Sequence, residues 1–102
     1  MTLRVVAFVP DLMDRGRFGS GASRPQFLAS LAELAATSAD VVLVDLSRPG
    51  VIDAVAGLAA RVIGFAPHVD DDTLARAAAV GVEAHPRSVF FRRLPEWLAQ
   101  ER

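Results

Sequence analysis

The chain has no cysteine, no lysine, no tyrosine and no asparagine. Without cysteine there is no disulfide, and no thiolate to attack a substrate or hold a soft metal. Without lysine no ammonium side chain is available to any site, and all 11 basic residues are arginines. No apolar run approaches the roughly 18 residues of a membrane-spanning helix. The N-terminus also lacks the basic region, long apolar segment and small-residue cleavage site of a secretory signal. A soluble, cytoplasmic protein is the expectation. With a net charge of −1 there is no electrostatic basis for gripping nucleic acid or an acidic membrane surface. Ser-His-Asp order, a nucleophile elbow and metal-ligand spacing of His are all missing, so an independent enzyme is not expected.

What is present is a set of short apolar runs closed by breakers. At 102 residues the chain is expected to form a single domain, 1–102, with a real core and no room for a second output module. Residues 3–9 read as a buried strand stopped by Pro10, 41–45 as a second run ending in Asp45 before Pro49-Gly50, and 62–66 as a third closed by Pro67. Weaker strands are expected at 26–29 and 82–84. Between them, Ser30-Leu-Ala-Glu33 matches a capping box, starting a helix near Leu31 that ends about Thr37. Residues 51–60 carry the helical period. Asp70, Asp71 and Asp72 are better explained as helix-capping and dipole-complementing acids than as a metal site, and Gly81 suits the left-handed residue after that helix.

A last helical region covers 88–100, with Phe90, Phe91, Leu94, Trp97 and Leu98 as its buried face. Pro95 lacks a backbone N–H, which predicts either a kink there or a turn followed by a helix starting at Pro95. Gly16, Gly19 and Gly21, with Ser20 and Ser23, lie too far from the first strand to be a dinucleotide fingerprint and are read as a flexible loop.

Strict β-α alternation with short connections predicts right-handed crossovers in a parallel sheet. The expected fold is therefore α/β, a flavodoxin-like three-layer sandwich whose five-stranded sheet has the order 2-1-3-4-5. Asp11 and Asp45 then end the first and third strands, which flank the switch point where open α/β sheets keep their sites. Two such carboxylates are a candidate Mg²⁺ site, and either one is a candidate nucleophile. Asp14 is expected to be solvated on a short helix.

Residues 39–50 resemble the third-strand segment of bacterial response-regulator receiver domains, an aliphatic strand followed by the phosphorylated Asp, two residues, usually Met, and then Pro. The resemblance extends through Val62-Ile-Gly-Phe-Ala-Pro-His68 and the helix ending Ala-Val-Gly81. It implies that Asp45 stands at the phosphoacceptor position, that Asp11 is the second of the family's paired acids, and that the Ser47 backbone carbonyl stands where the family binds its metal. The departures are equally specific. Pro10 replaces the first acid, Arg48 the usual Met, Ala66 the Thr or Ser that contacts the phosphoryl group, and Ser88 the Lys. His85 falls at the aromatic switch position.

The Lys and the hydroxyl stabilise the transferred group and couple it to the switch. Arg87 is expected to point away from the crevice, because neighbours at a strand end face opposite sides. Spacings between the matched residues are shorter than in receivers, so the first and third helices should be trimmed. The expectation is a stand-alone pseudo-receiver: a regulatory protein-interaction module without conventional phosphotransfer, requiring no cofactor. Its contact face would carry the late aromatics with Arg87, Arg92 and Arg93, with a homodimer through the last helices as one form. The alternatives are a phospho-accepting regulator modified on Asp45 with Mg²⁺, and a small-anion binder using Arg48 in the crevice between strands one and three.

Overall fold

Parallel strands buried on both faces account for the apolar runs, and a computed structural model describes residues 3–19, 21 and 24–99. The elements alternate as β1 (Val5–Phe8), α1 (Leu12–Arg15), β2 (Gln26–Phe27), α2 (Leu31–Ala36), β3 (Val41–Asp45), α3 (Val51–Val55), β4 (Arg61–Ala66), α4 (Asp71–Ala79), β5 (Glu83–Pro86) and α5 (Arg87–Leu98). All pairings are parallel and the sheet order is β2-β1-β3-β4-β5. The fold is flavodoxin-like. Residues 1, 2, 20, 22, 23 and 100–102 lie outside the described set, and with them Ser20 and Ser23 of the glycine loop and the Gln100 end of the last helix. Among the described residues no helix is long and apolar enough to cross a membrane.

Period-two alternation divides each strand between two cores. Val6, Val42, Val44 and Val62 face a layer closed by Leu34, Val51, Ile52, Val55 and Ala77 of α2, α3 and α4. Val5, Ala7, Val41, Leu43, Ile63 and Phe65 face the other layer, closed by α5 and by Phe18. Asp45 shares its parity with Val41 and Leu43, so its carboxylate belongs to the α5 side of the sheet. That parity decides which residues can reach it.

The predicted caps are in place. Ser30 Oγ accepts from Glu33 N at 3.1 Å, while Glu33 Oε1 reaches back to the N–H of Ala29 at 3.4 Å, one residue earlier than the usual box. Asp70 Oδ1 accepts from Thr73 N at 3.2 Å, and Gly81 has φ +90°. Trimming of the first and third helices is pronounced: α1 has 4 residues and α3 has 5. The helix expected over 51–60 stops at Val55 because the chain must turn back into β4 at Arg61.

Two boundaries differ from expectation. β5 occupies Glu83–Pro86 rather than 82–84, pairing as far as Ala66↔Pro86. Pro86 is tolerated there because β5 is an edge strand, where a missing N–H need not break a ladder. α5 starts at Arg87 with no intervening loop and runs as one helix through Pro95. Phe90, Phe91 and Leu94 before the proline and Trp97 and Leu98 after it all bury on one stripe, and that shared packing outweighs the single backbone bond that Pro95 cannot donate.

Two glycines are dictated by close approach. A Cβ on Gly64 in β4 would stand 2.6 Å from Leu46 Cγ, so only glycine lets Leu46 lie across the sheet just after β3. The Leu46 N–H donates to Phe65 O at 2.8 Å, which fixes where the chain leaves the strand. Gly50 caps α3 with φ +83°, and a Cβ there would stand 2.8 Å from Leu31 Cδ1.

Candidate functional site

β1 and β3 are neighbours, paired through Phe8↔Val44, so the segments that follow them meet at the carboxyl edge of the sheet. Asp11 and Asp45 are brought to this edge as expected. The acid expected to be solvated, Asp14, is buried at 6% exposure, whereas Leu12 and Met13 on the same turn are 76% and 85% exposed. α1 thus buries its acid and presents its apolar side chains outward. This inversion has a cause on the facing helix.

Arg87 is the cause, and it corrects the expectation that its side chain points away. Its Nη1 donates to Asp14 Oδ2 at 3.0 Å and its Nη2 to Asp14 Oδ1, a two-point ion pair. The alternation argument failed because Pro86 is the last strand residue and Arg87 the first helical one, so period two no longer applies between them. The guanidinium also lies 5.4 Å from the Phe65 ring centroid and 5.1 Å from that of Phe91. Its pKa is pushed above the ordinary arginine value, first by the hydrogen bond to Asp14, against desolvation, with the charges of Asp14, Asp45 and Asp11 adding to the effect. Asp14 is the acid that Arg87 contacts directly.

The other carboxylates are also engaged by the chain itself. Asp11 Oδ1 accepts the N–H groups of Met13 (2.8 Å) and Asp14 (3.1 Å), which makes it the N-cap of α1. Asp45, 5% exposed, accepts at Oδ1 from Ser47 N (3.0 Å) and Ser47 Oγ (2.6 Å), with Arg48 Nε 3.5 Å from Oδ2. Ala66 is fully buried at the end of β4 and offers only a methyl group. Ser88 is exposed on the first turn of α5.

A divalent cation takes several converging oxygens and repels other cations. Among the described residues no three His, Asp or Glu side chains are grouped to hold a metal; Asp11 is engaged as the N-cap of α1, and Asp45 accepts from Ser47 with Arg48 3.5 Å away. A Mg²⁺ shared by Asp11 and Asp45 would have to compete with these partners.

His85 is half-buried, stacked on Trp97 with ring centroids 5.4 Å apart. Among the described residues its buried Nε2 has no hydrogen-bond partner. Burial pushes its pKa below the ordinary histidine value, with Arg93 and Arg61 lowering it further and Glu83 opposing. The late aromatics expected to contribute to a contact face, Phe90, Phe91 and Trp97, are buried within this chain. Arg92 remains exposed, and Arg93 pairs with Glu96 at 3.1 Å and lies 5.3 Å from the Trp97 ring centroid.

Sequence reasoning missed Asp14 and Phe18. Phe18 has no exposed surface and contacts Phe27 and Phe91 edge-on at 5.6 and 5.7 Å. The available signal was a lone aromatic in a glycine-rich stretch, a residue type too costly to leave in water without reason. Comparison of the chain with family models, curated proteins and solved structures gives no match.

Proposed function

We propose that this protein is a stand-alone pseudo-receiver, a regulatory protein-interaction module that does not carry out conventional phosphoryl transfer. The resemblance of 39–50 to the receiver phosphoacceptor segment supplies the class. The observation that carries the rest is internal neutralisation: Asp11 caps α1, Asp14 is clamped by Arg87, and Asp45 is held by Ser47 and Arg48. A phosphoacceptor needs its carboxylate free to attack and its cations free to receive the incoming charge. Here Asp45 is already engaged by Ser47, and Arg87 by Asp14.

The surface is consistent with a protein partner. Leu12, Met13 and Val69, the last at 77% exposure, stand after β1 and β4 on the same carboxyl edge of the sheet. Large apolar side chains held outward around a polar crevice suit a partner's contact. Arg92 and Arg93 supply charge on α5, the face through which a homodimer would form. A cytoplasmic setting belongs to the same reading.

The test is to add Mg²⁺ and beryllofluoride and follow backbone amide resonances around Asp45 and His85. No saturable shift is expected, while a partner recovered by pull-down should be lost on Leu12→Asp with Met13→Asp. Saturable shifts that vanish in Asp45→Ala would overturn the proposal. One observation favours that second reading, a phospho-accepting Asp45: the guanidinium of Arg87 is turned toward the acids, where it could take the role of the absent Lys.

A further inference from the structure

We propose that the cleft between the β3–α3 loop and α4 binds a small phosphate monoester. The cleft has a volume of about 180 Å³ and is lined by Ser47, Arg48, Gly50, Asp53, Thr73 and Arg76, among others. It lies on the α3 and α4 side of the sheet, opposite the layer that holds Asp14 and Arg87. Its lining brings together two arginines, one from the loop and one from α4, with Thr73 and one carboxylate, that of Asp53.

Two arginines lining one small polar cleft favour an anion between them, and their planar forks match phosphate oxygens bidentately. Arg76 is exposed and makes no hydrogen bond or ion pair among the described residues. Arg48 is only loosely held: its Nε lies 3.5 Å from Asp45 Oδ2, beyond good hydrogen-bond length, and its side chain is 42% exposed. Asp53 is exposed and likewise pairs with neither arginine. It disfavours a bare anion but accepts a hydrogen bond from an alcohol, which selects a phosphate that carries a hydroxyl. The volume is below the roughly 300 Å³ at which pockets for drug-sized ligands begin. Glycerol 3-phosphate has the right elements and size.

Arg48 is the partition between this cleft and the acidic crevice, touching Asp45 on one side and lining the cleft on the other. A phosphate bound in the cleft competes with Asp45 for the same guanidinium. Ligand binding and the charge around Asp45 are therefore coupled through one side chain, with each opposing the other.

The experiment is a calorimetric titration of the intact protein with glycerol 3-phosphate and, separately, inorganic phosphate, accompanied by amide resonances at Gly50 and Thr73. One saturable site is expected, tighter for the ester than for inorganic phosphate. Arg76→Gln and Arg48→Gln should each weaken it about tenfold or more, as loss of a charge-assisted bond does. Asp45→Asn should tighten it severalfold, and Arg92→Gln should leave it unchanged. Because Arg76 is exposed, Arg76→Gln keeps the test valid even if an Arg48 variant fails to fold. Absence of saturation up to about 10 mM, too weak for a built site, would overturn the proposal. So would indifference to Arg76→Gln, or inorganic phosphate binding as tightly as the ester.

Discussion

Arg87 and Asp14, 73 positions apart, are joined by a two-point ion pair that seats a cation among the acids at the carboxyl edge of the sheet. Asp14 is almost wholly buried while the Arg87 side chain is 42% exposed, so the two partners are not equivalent. Arg87→Ala leaves a buried carboxylate without its donors, which costs about 1–3 kcal/mol for an unsatisfied buried group, reduced by the water that reaches the arginine side. Asp14→Asn should cost less: it loses one of the two acceptors, but it leaves no buried charge and the freed guanidinium N–H can reach water. Urea unfolding of the two variants should give that order, and the reverse order would show that the buried Asp14 carboxylate does not depend on Arg87 for its stability.

Gly64→Ala should destabilise the protein by about 1–3 kcal/mol, the usual cost of overpacking a core. The added methyl would stand 2.6 Å from Leu46 Cγ. Combining Gly64→Ala with Leu46→Ala should recover part of the loss, because the second change removes the obstacle to the first. Thermal denaturation of the two single variants and the double variant measures the coupling, and strict additivity would show that the clash is relieved some other way.

Phe18→Ala should cost about 3–5 kcal/mol, as for other fully buried aromatics. That is a large share of the stability of a domain this size. Chemical denaturation followed by the fluorescence of Trp97 would report it. A loss below about 1 kcal/mol, typical of a surface change, would mean the glycine-rich stretch does not anchor this layer.

Acid should act through His85 before it acts through the carboxylates. Its folded pKa lies below the ordinary value, chiefly through burial, so the unfolded chain takes up the proton first. The stability it contributes is complete above about pH 6.5 and is lost as pH falls from there through the depressed folded value. The groups facing it are Glu83, Arg61, Arg93 and Trp97. His85→Gln should flatten the stability profile across that window. Glu83, its pKa lowered chiefly by the hydrogen bond from Arg61, acts only at lower pH: its contribution is present above the unfolded carboxyl pKa of about 4.3 and is lost as pH falls through the folded value.

Arg61→Ala should cost no more than about 1 kcal/mol, the range for exposed pairs, although its Nε and Nη2 contact Glu83 at 2.6 and 2.9 Å. Both side chains are about 40% exposed, and the effect should shrink further at high salt. A salt-independent loss would point instead to strand packing between β4 and β5.

The strands, their order and the capped starts of α2 and α4 were legible because they rest on local rules: apolar runs, breakers, and side chains that satisfy nearby N–H groups. The placement of Asp11 and Asp45 followed from topology alone. What was not legible depended on where one regular element hands over to the next. Arg87 looked as if it faced away because period two was extended past Pro86, where the chain is already helical. Asp14 looked solvated because a four-residue helix carries too little periodicity to show which face is buried. Pro95 pointed to a kink or to a new helix start because a missing N–H is local, whereas the burial of Trp97 and Leu98 that keeps one helix running through it is not.

The direct passage from Pro86 to Arg87 has a consequence for motion. With no linker between β5 and α5, the side chain that clamps Asp14 is carried on the first residue of the helix whose aromatic stripe closes one layer of the sheet. The crevice and that layer should therefore open together as one cooperative unit rather than as a local flap. Native-state hydrogen exchange would show it as a common opening free energy for the amides of α1, the first turn of α5 and the Phe18 segment, falling together when Arg87 is removed.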